Sequence, residues 1–360
     1  MKRMYLLILG LPLTISLMAA GCGTKDSSER VALETQIAPV KYNRDAMVTI
    51  TSDDGRFETG IMLDELGGKY NFKITVSGIV KFIEPHLKEW QKIEKKGNVE
   101  LISHSYTHLK MDPAEEFSND VLEYEITESI EFFKKNFQTD QIAFTPPENQ
   151  ICEEGYVLLA NNEIRVMRQG SRGYNTLMPE DGCALSQWYN LYTVGIGDVN
   201  TTAERNVWID EAIASQAWLI EMWHDVSLDG NTGYYQEISY AMADEHLSYI
   251  ADRQTDGEIW VASLVDASKY LLEKEYATVE AYYCNSKIEV SLTCDQEEVP
   301  ANIYGEALTV RVLLPEEARD FTQAVSSDKK NEVRMSEEGG EIWLEFEMIP
   351  NKGNITIRLK

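Results

Sequence analysis

A chain of 360 residues with 43% hydrophobic content can bury the core of one large domain and a small one. Its 60 acidic side chains outnumber 33 basic ones and give a formal charge of −27. That balance sets aside nucleic acid and teichoic-type polyanions as partners and suits a neutral or cationic polymer better; nothing points to a protein partner.

In chain order, Lys2 and Arg3 precede an apolar stretch over about residues 4–18, and Ala19-Ala20-Gly21-Cys22 follows. Residues 1–21 read as a secretory signal. They resemble a bacterial lipoprotein signal with Cys22 as the lipidated N-terminus, although Ala19 stands where leucine is usual. Cleavage removes Lys2 and Arg3 and takes the charge from −27 to −29. Residues 22–43 are then a polar tether, and the protein is exported and lipid-anchored to the cell membrane or the outer membrane. Cys152, Cys183, Cys284 and Cys294 permit two disulfides; sequence proximity pairs Cys152 with Cys183 and Cys284 with Cys294, one of three connectivities.

From residue 46 strands and helices alternate. Residues 47–51 form a β-branched strand ending at Asp53-Asp54, and 61–70 a helix. A strand over 72–76 and a helix over 84–96 follow, with Gly97 as a C-cap signal. A strand over 99–102 runs into His104. Residues 118–137 are the clearest helix, with Leu122, Ile126, Ile130, Phe133 and Phe137 on one face. Strands follow near 142–144, 165–167 and 191–194, and another over 218–222 ends at His224. The helix 237–253, the strand 259–263 and the helix 265–275 close the series. Repeated βα units imply a parallel sheet or barrel, whose ligands gather at the carboxyl ends of strands. Beyond residue 279, runs such as Ile342, Leu344, Phe346 and Met348 have a period of two, read as a small antiparallel β-sandwich. The divisions are 44–278 for the βα domain and 279–360 for the β-domain, which holds no histidine.

Only five histidines occur, and His86 and His246 fall inside helical patterns. His104 and His108, four apart, can face one cation from a turn after a strand. Two imidazoles and a carboxylate suit zinc with a position left open for water. Adjacent aspartates point apart, so Asp54 can bind a metal while Asp53 stays free as a base.

Thr51-Ser52-Asp53-Asp54-Gly55, then Ser103-His104-Ser105-Tyr106-Thr107-His108, then Pro146-Pro147, then an apolar strand ending at His224, in that order, resemble the NodB-type polysaccharide deacetylases, carbohydrate esterase family 4. The resemblance covers about residues 46–275. It implies a distorted (β/α) barrel of about seven strands. It also implies Asp53 as catalytic base, Asp54, His104 and His108 as metal ligands, and His224 as general acid. Asp198 is matched to the aspartate that supports the acid, with Asp225 as its rival. The cofactor implied is one divalent ion, zinc first, with cobalt or nickel as alternatives. The substrate implied is an acetylated polysaccharide of the cell envelope, losing N-acetyl groups from N-acetylhexosamine.

The third segment departs from the family pattern. It reads Thr145-Pro146-Pro147-Glu148-Asn149, so the arginine that orients the base is missing at Thr145. Arg165, Arg168 and Arg172 are the available substitutes. Pro147, Trp188, Trp223 and Tyr234 are candidates to line a sugar groove, with Tyr189, Trp208 and Tyr235 nearby, because sugar rings stack on such faces. Three alternatives stand beside N-deacetylation: O-deacetylation by the same site, a catalytically weak glycan-binding surface lipoprotein, and a non-haem iron oxygenase. The last has no use for paired aspartates.

Overall fold

The computed structural model describes residues 30–177, 188–295, 302–319, 321, 323–327 and 332–360, without the side chains of Asp198 and Glu317. The expected signal peptide, Cys22 and Cys183 lie outside the described residues. Among the described residues, no helix is long and apolar enough to cross a membrane.

Two short strands open the description, β1 (Val31–Leu33) and β2 (Thr35–Ile37). Then come β3 (Ala46–Ser52), α1 (Phe57–Tyr70), β4 (Ile74–Gly78), α2 (Val80–Ile83), α3 (Leu87–Lys96) and β5 (Val99–Ser103). The next stretch is α4 (Asn119–Leu122), a π-helical turn (Glu123–Glu128), α5 (Ser129–Asn136), β6 (Ala143–Phe144), α6 (Glu153–Asn161), β7 (Val166–Arg172) and β8 (Asn175–Thr176). β9 (Leu191–Gly195), α7 (Thr202–Ser215), β10 (Ala217–Trp223), β11 (Val226–Ser227), β12 (Ile238–Ser239), α8 (Tyr240–Thr255), β13 (Ile259–Val261) and α9 (Leu264–Tyr276) complete the βα series.

Seven parallel strands, β3-β4-β5-β6-β7-β9-β10, close into a barrel because β10 returns to pair with β3. The closure is uneven. β3 meets β4 only at Thr51 and Ser52, while its first half, Ala46–Val48, pairs with β13. Residues that alternate along the strands divide cleanly. Met47, Ile102, Ala143, Val166 and Trp218, each from a different ring strand, meet in one buried cluster that fills the lumen. Val48, Ile50, Leu101 and Leu219 point outward and pack on Leu63 and Leu66 of α1, Trp90 of α3, Ile209 of α7 and Leu247 of α8.

The C-terminal strands are β14 (Ala277–Cys284), β15 (Lys287–Cys294), β16 (Leu308–Leu313), β17 (Ala324–Ser326), β18 (Arg334–Glu338), β19 (Glu341–Met348) and β20 (Ile355–Leu359). They make two antiparallel sheets, ordered β1-β14-β15-β20-β17 and β18-β19-β16-β2. The lumen cluster runs on through Tyr270 and Leu271 of α9 into Val290, Val312, Leu344 and Phe346 of these sheets. The sandwich and the floor of the barrel therefore share one core.

Two expectations are corrected. Within 22–43, residues 31–37 are not tether: Ala32 opposes Tyr282 of β14, and Gln36 opposes Arg311 of β16. The segment continues inward, with Val40 buried and the Tyr42 N–H donating to Thr309 Oγ1. Strands of three residues are too short to show a period in sequence, and their partners lie some 250 residues on. Cys284 and Cys294 also do not face each other. They occupy opposite ends of the β14–β15 hairpin, Cys284 opposing Lys287 and Cys294 opposing Ala277, too far apart for a disulfide. Cys152 is buried, and its expected partner is not described.

Candidate metal centre

The alternation that sorts the barrel also builds the site. On β3 the inward parity of Met47 continues through Thr49 and Thr51 to Asp53. The inward parity of Ile102 on β5 continues to His104, that of Val166 on β7 to Arg168, and that of Trp218 on β10 to His224. Four chemically active side chains thus arrive at the carboxyl rim of the same lumen.

The closing strand pair fixes two of them. Trp223 opposes Ser52. The Asp53 N–H donates to Trp223 O at 2.9 Å, and Ser52 Oγ donates to His224 O at 2.8 Å. Beyond them the chain turns sharply, with Asp54 and Gly55 both at φ 72. Aspartate tolerates this left-handed conformation better than most residues. At Gly55 only glycine fits, since a Cβ would meet Gly78 Cα at 2.9 Å. The turn sends Asp53 and Asp54 in different directions.

Asp54, His104 and His108 offer ligand atoms that all lie within 4.8 Å of one another. Asp54 Oδ1 is 3.9 Å from His104 Nε2 and 3.7 Å from His108 Nε2. His104 Nδ1 lies 2.8 Å from the Thr145 carbonyl, which can only accept, so that nitrogen carries the proton and Nε2 presents its lone pair to the trio. Burial holds the His104 ring below the usual histidine range, favouring the neutral form a metal needs. His108 is brought round by left-handed residues at Ser105 (φ 67) and His108 itself (φ 70), and its N–H donates to Ser105 Oγ at 2.9 Å. Buried Glu125, in the π-helical turn, accepts from the Tyr106 and Thr107 N–H groups at 3.2 and 2.9 Å and from Thr107 Oγ1 at 2.6 Å. This carboxylate clamps the loop between the two histidines. Two imidazole nitrogens and one carboxylate oxygen, with no lysine or arginine paired to Asp54 among the described residues, fit zinc, cobalt or nickel.

Asp53 stands apart from that trio. Arg168 is fully buried, and its Nη2 donates to both Asp53 oxygens, the Oδ2 contact at 2.5 Å. Burial raises the Asp53 carboxyl, but the Arg168 guanidinium, then the His104 and His224 rings, outweigh it and hold the group below the usual carboxylate range. Of the three substitutes for the arginine absent at Thr145, Arg168 is the one that bonds Asp53. Thr145 instead uses Oγ1 on Ser77 at 2.9 Å and its carbonyl on His104.

The remaining assignments divide. Asp225 makes no hydrogen bond to His224: its Oδ1 accepts from Thr59 Oγ1 at 3.0 Å, its Oδ2 lies 3.3 Å from Arg56 Nε, and His224 Nδ1 has no hydrogen-bond partner among the described residues. Asp198 ends a 3-10 turn after β9, and its side chain is not described. Trp188 and Trp223 are corrected from groove to core, at 7% and 0% exposure; Trp223 gives its N–H to Glu221 Oε2. Trp208 is buried too. Large apolar faces were drawn to the interior, and only Tyr234 and Tyr235 stand on the rim, Tyr235 edge-on to His224 at 4.7 Å between centroids. Pro147 is buried and starts a 3-10 turn, Pro147–Asn149.

Residues 41–165 match the polysaccharide deacetylase family model. The matched stretch holds Asp53, Asp54, His104 and His108, while Arg168 and His224 lie beyond its end. Among solved structures, the chain is 19% identical to the Xyl-CE4 domain of a multidomain xylanase from the hindgut metagenome of Trinervitermes trinervoides, covering 64% of this chain and 91% of that one at TM-score 0.43. It is 16% identical to a CE4 family pseudoenzyme from Bacillus anthracis, covering 62% and 66% at TM-score 0.44. It is also 16% identical to a family 4 acetyl xylan esterase from Clostridium thermocellum in complex with a cobalt ion, covering 61% and 88% at TM-score 0.42. No curated protein matches the chain.

Proposed function

We propose that this protein is a metal-dependent hydrolase that removes N-acetyl groups from an N-acetylhexosamine-containing polysaccharide. In this reading it works at the cell envelope as an exported lipoprotein anchored through Cys22. The observation that carries the proposal is the pairing of two unlike aspartates on one turn: Asp54 convergent with His104 and His108, and Asp53 buried against Arg168.

Asp54, His104 Nε2 and His108 Nε2 would hold the cation. When bound, it would supply Lewis-acid polarisation of the acetyl carbonyl and make water a better nucleophile at neutral pH. Asp53, kept ionised by Arg168, accepts the proton of the attacking water. The Glu148 N–H is the donor left for the developing oxyanion, since Pro147 has none and the Asn149 and Gln150 N–H groups are spent on Pro146 and Pro147 carbonyls. His224 gives a proton to the sugar nitrogen as the C–N bond breaks, releasing acetate and a free amino sugar.

Acetate release from acetylated glucosamine oligomers, with and without a chelator, tests the reading. Release that stops on chelation and returns with zinc, cobalt or nickel is expected; release indifferent to the chelator overturns metal dependence. Asp54→Ala is expected to abolish binding of the ion in a direct metal titration. His224→Ala is expected to slow amide substrates far more than activated esters, whose leaving groups need no proton; equal losses on both would count against the acid role.

A further inference from the structure

One cation at the mouth of the site is under-used. Arg56 follows the Asp53-Asp54-Gly55 turn and stands at the N-terminus of α1. Its side chain is 32% exposed, while that of Asp225 is 2% exposed. Its ion pair with Asp225 runs through Nε, at 3.3 Å, and that N–H is not aligned for a hydrogen bond. A purely structural clasp would turn the fork of the guanidinium onto the carboxylate in two parallel bonds. Asp225 instead takes its hydrogen bond from Thr59, and the Nη edge of Arg56 makes none among the described residues.

That edge is held in place. The guanidinium carbon sits 4.2 Å from the Tyr234 ring centroid and 5.1 Å from that of Phe82. Aromatic faces of this kind fix the plane of an arginine and leave its N–H edge pointing outward. Next to Tyr234, Tyr235 packs on His224, so the open guanidinium edge and the proton donor share one rim. Tyr234 and Tyr235 are 47% and 67% exposed, which leaves ring surface for a pyranose.

Resting on the deacetylase reading above, we propose that Arg56 forms a subsite for a carboxylate carried by the glycan, so that the preferred substrate is an acidic acetylated polysaccharide. The Nη edge grips the carboxylate of the sugar beside the one being deacetylated. A hydroxyl needs no such charge, whereas a planar fork matches a carboxylate in both shape and sign. The charge of −27 does not forbid this, because exposed charges farther than about 8 Å are largely screened at physiological ionic strength and the contact at Arg56 is direct.

Three matched N-acetylglucosamine oligomers test it: one neutral, one whose neighbouring sugar is a uronic acid, and one whose neighbouring sugar carries a lactyl ether. Wild-type kcat/KM is expected to be on the order of tenfold higher on one acidic oligomer than on the neutral one, and the arm that responds identifies the carboxylate. Arg56→Gln is expected to bring that ratio to about one, and Arg56→Lys to restore part of it, having the charge without the fork. Equal wild-type rates on all three overturn the proposal, as does an Arg56→Gln variant that slows all three in proportion. Calorimetric Kd values for the same oligomers keep the two readings apart. If no oligomer releases acetate, the deacetylase reading fails, and the subsite still stands or falls on whether wild type, and not Arg56→Gln, binds an acidic oligomer more tightly than the neutral one.

Discussion

Asp53 and Arg168 form the most consequential residue pair in the molecule. Both are buried, and a buried pair that loses one member leaves an uncompensated charge, which costs about 3–5 kcal/mol. Arg168→Met is therefore expected to destabilise the fold by that amount in chemical denaturation. It is also expected to move the acid limb of the kcat/KM profile to higher pH. The sign follows from Asp53. Its folded-state carboxyl is held low, so it contributes stability above its unfolded range and loses that contribution as pH falls through the lower folded value. Without Arg168, burial remains and pushes the group up. An unchanged acid limb would remove Arg168 from the orientation of the base. The motif residues were readable because each follows a strand and carries a distinctive type. Arg168 was readable only as one of three arginines. Its parity with Val166 on β7 singles it out, whereas Arg165 precedes that strand and Arg172 lies past a register shift.

At the scale of elements, the helix read over residues 118–137 is broken by the π-helical turn Glu123–Glu128. The apolar spacing hid the break because Ile126 and Ile130 stay buried through it. The wider turn lets adjacent Glu125 and Ile126 both face inward, one to the histidine loop and one to the core. On β5, Glu100 shows a different use of a buried acid. Burial, reinforced by Asp266, pushes its carboxyl up to about 7. From its unfolded range near 4 up to about 7, the native state holds a proton that the unfolded chain has released. Stability therefore falls as pH rises through that window, by up to about 3 kcal/mol. Glu100→Gln is expected to flatten this slope in urea titrations at pH 5 and pH 8; a slope as steep as wild type would trace it to another group.

At the scale of the whole molecule, the sandwich is a floor as well as an appendage. Tyr270 and Leu271 of α9 are 0% and 1% exposed because the sheets cover them, and Tyr270 Oη donates to Ala38 O at 2.8 Å. A chain ending at residue 278 is expected to lose cooperative melting in circular dichroism and to aggregate through the uncovered face; a sharp transition near that of the full chain would show that the barrel stands alone. Local pattern by itself determined the succession of βα units, the period of two near the C-terminus, and the four residues Asp53, Asp54, His104 and His224 that lie just past strand ends. These depend on neighbours within a few positions, where side-chain type and spacing dictate which face is buried. Tertiary structure alone decided that β10 closes on β3, bringing His224 beside Asp53, that Arg168 reaches across the lumen, and that β1 and β2 finish the C-terminal sheets. Each of these is a pairing between segments far apart in the chain, and no local period records which distant strand will supply the partner hydrogen bonds.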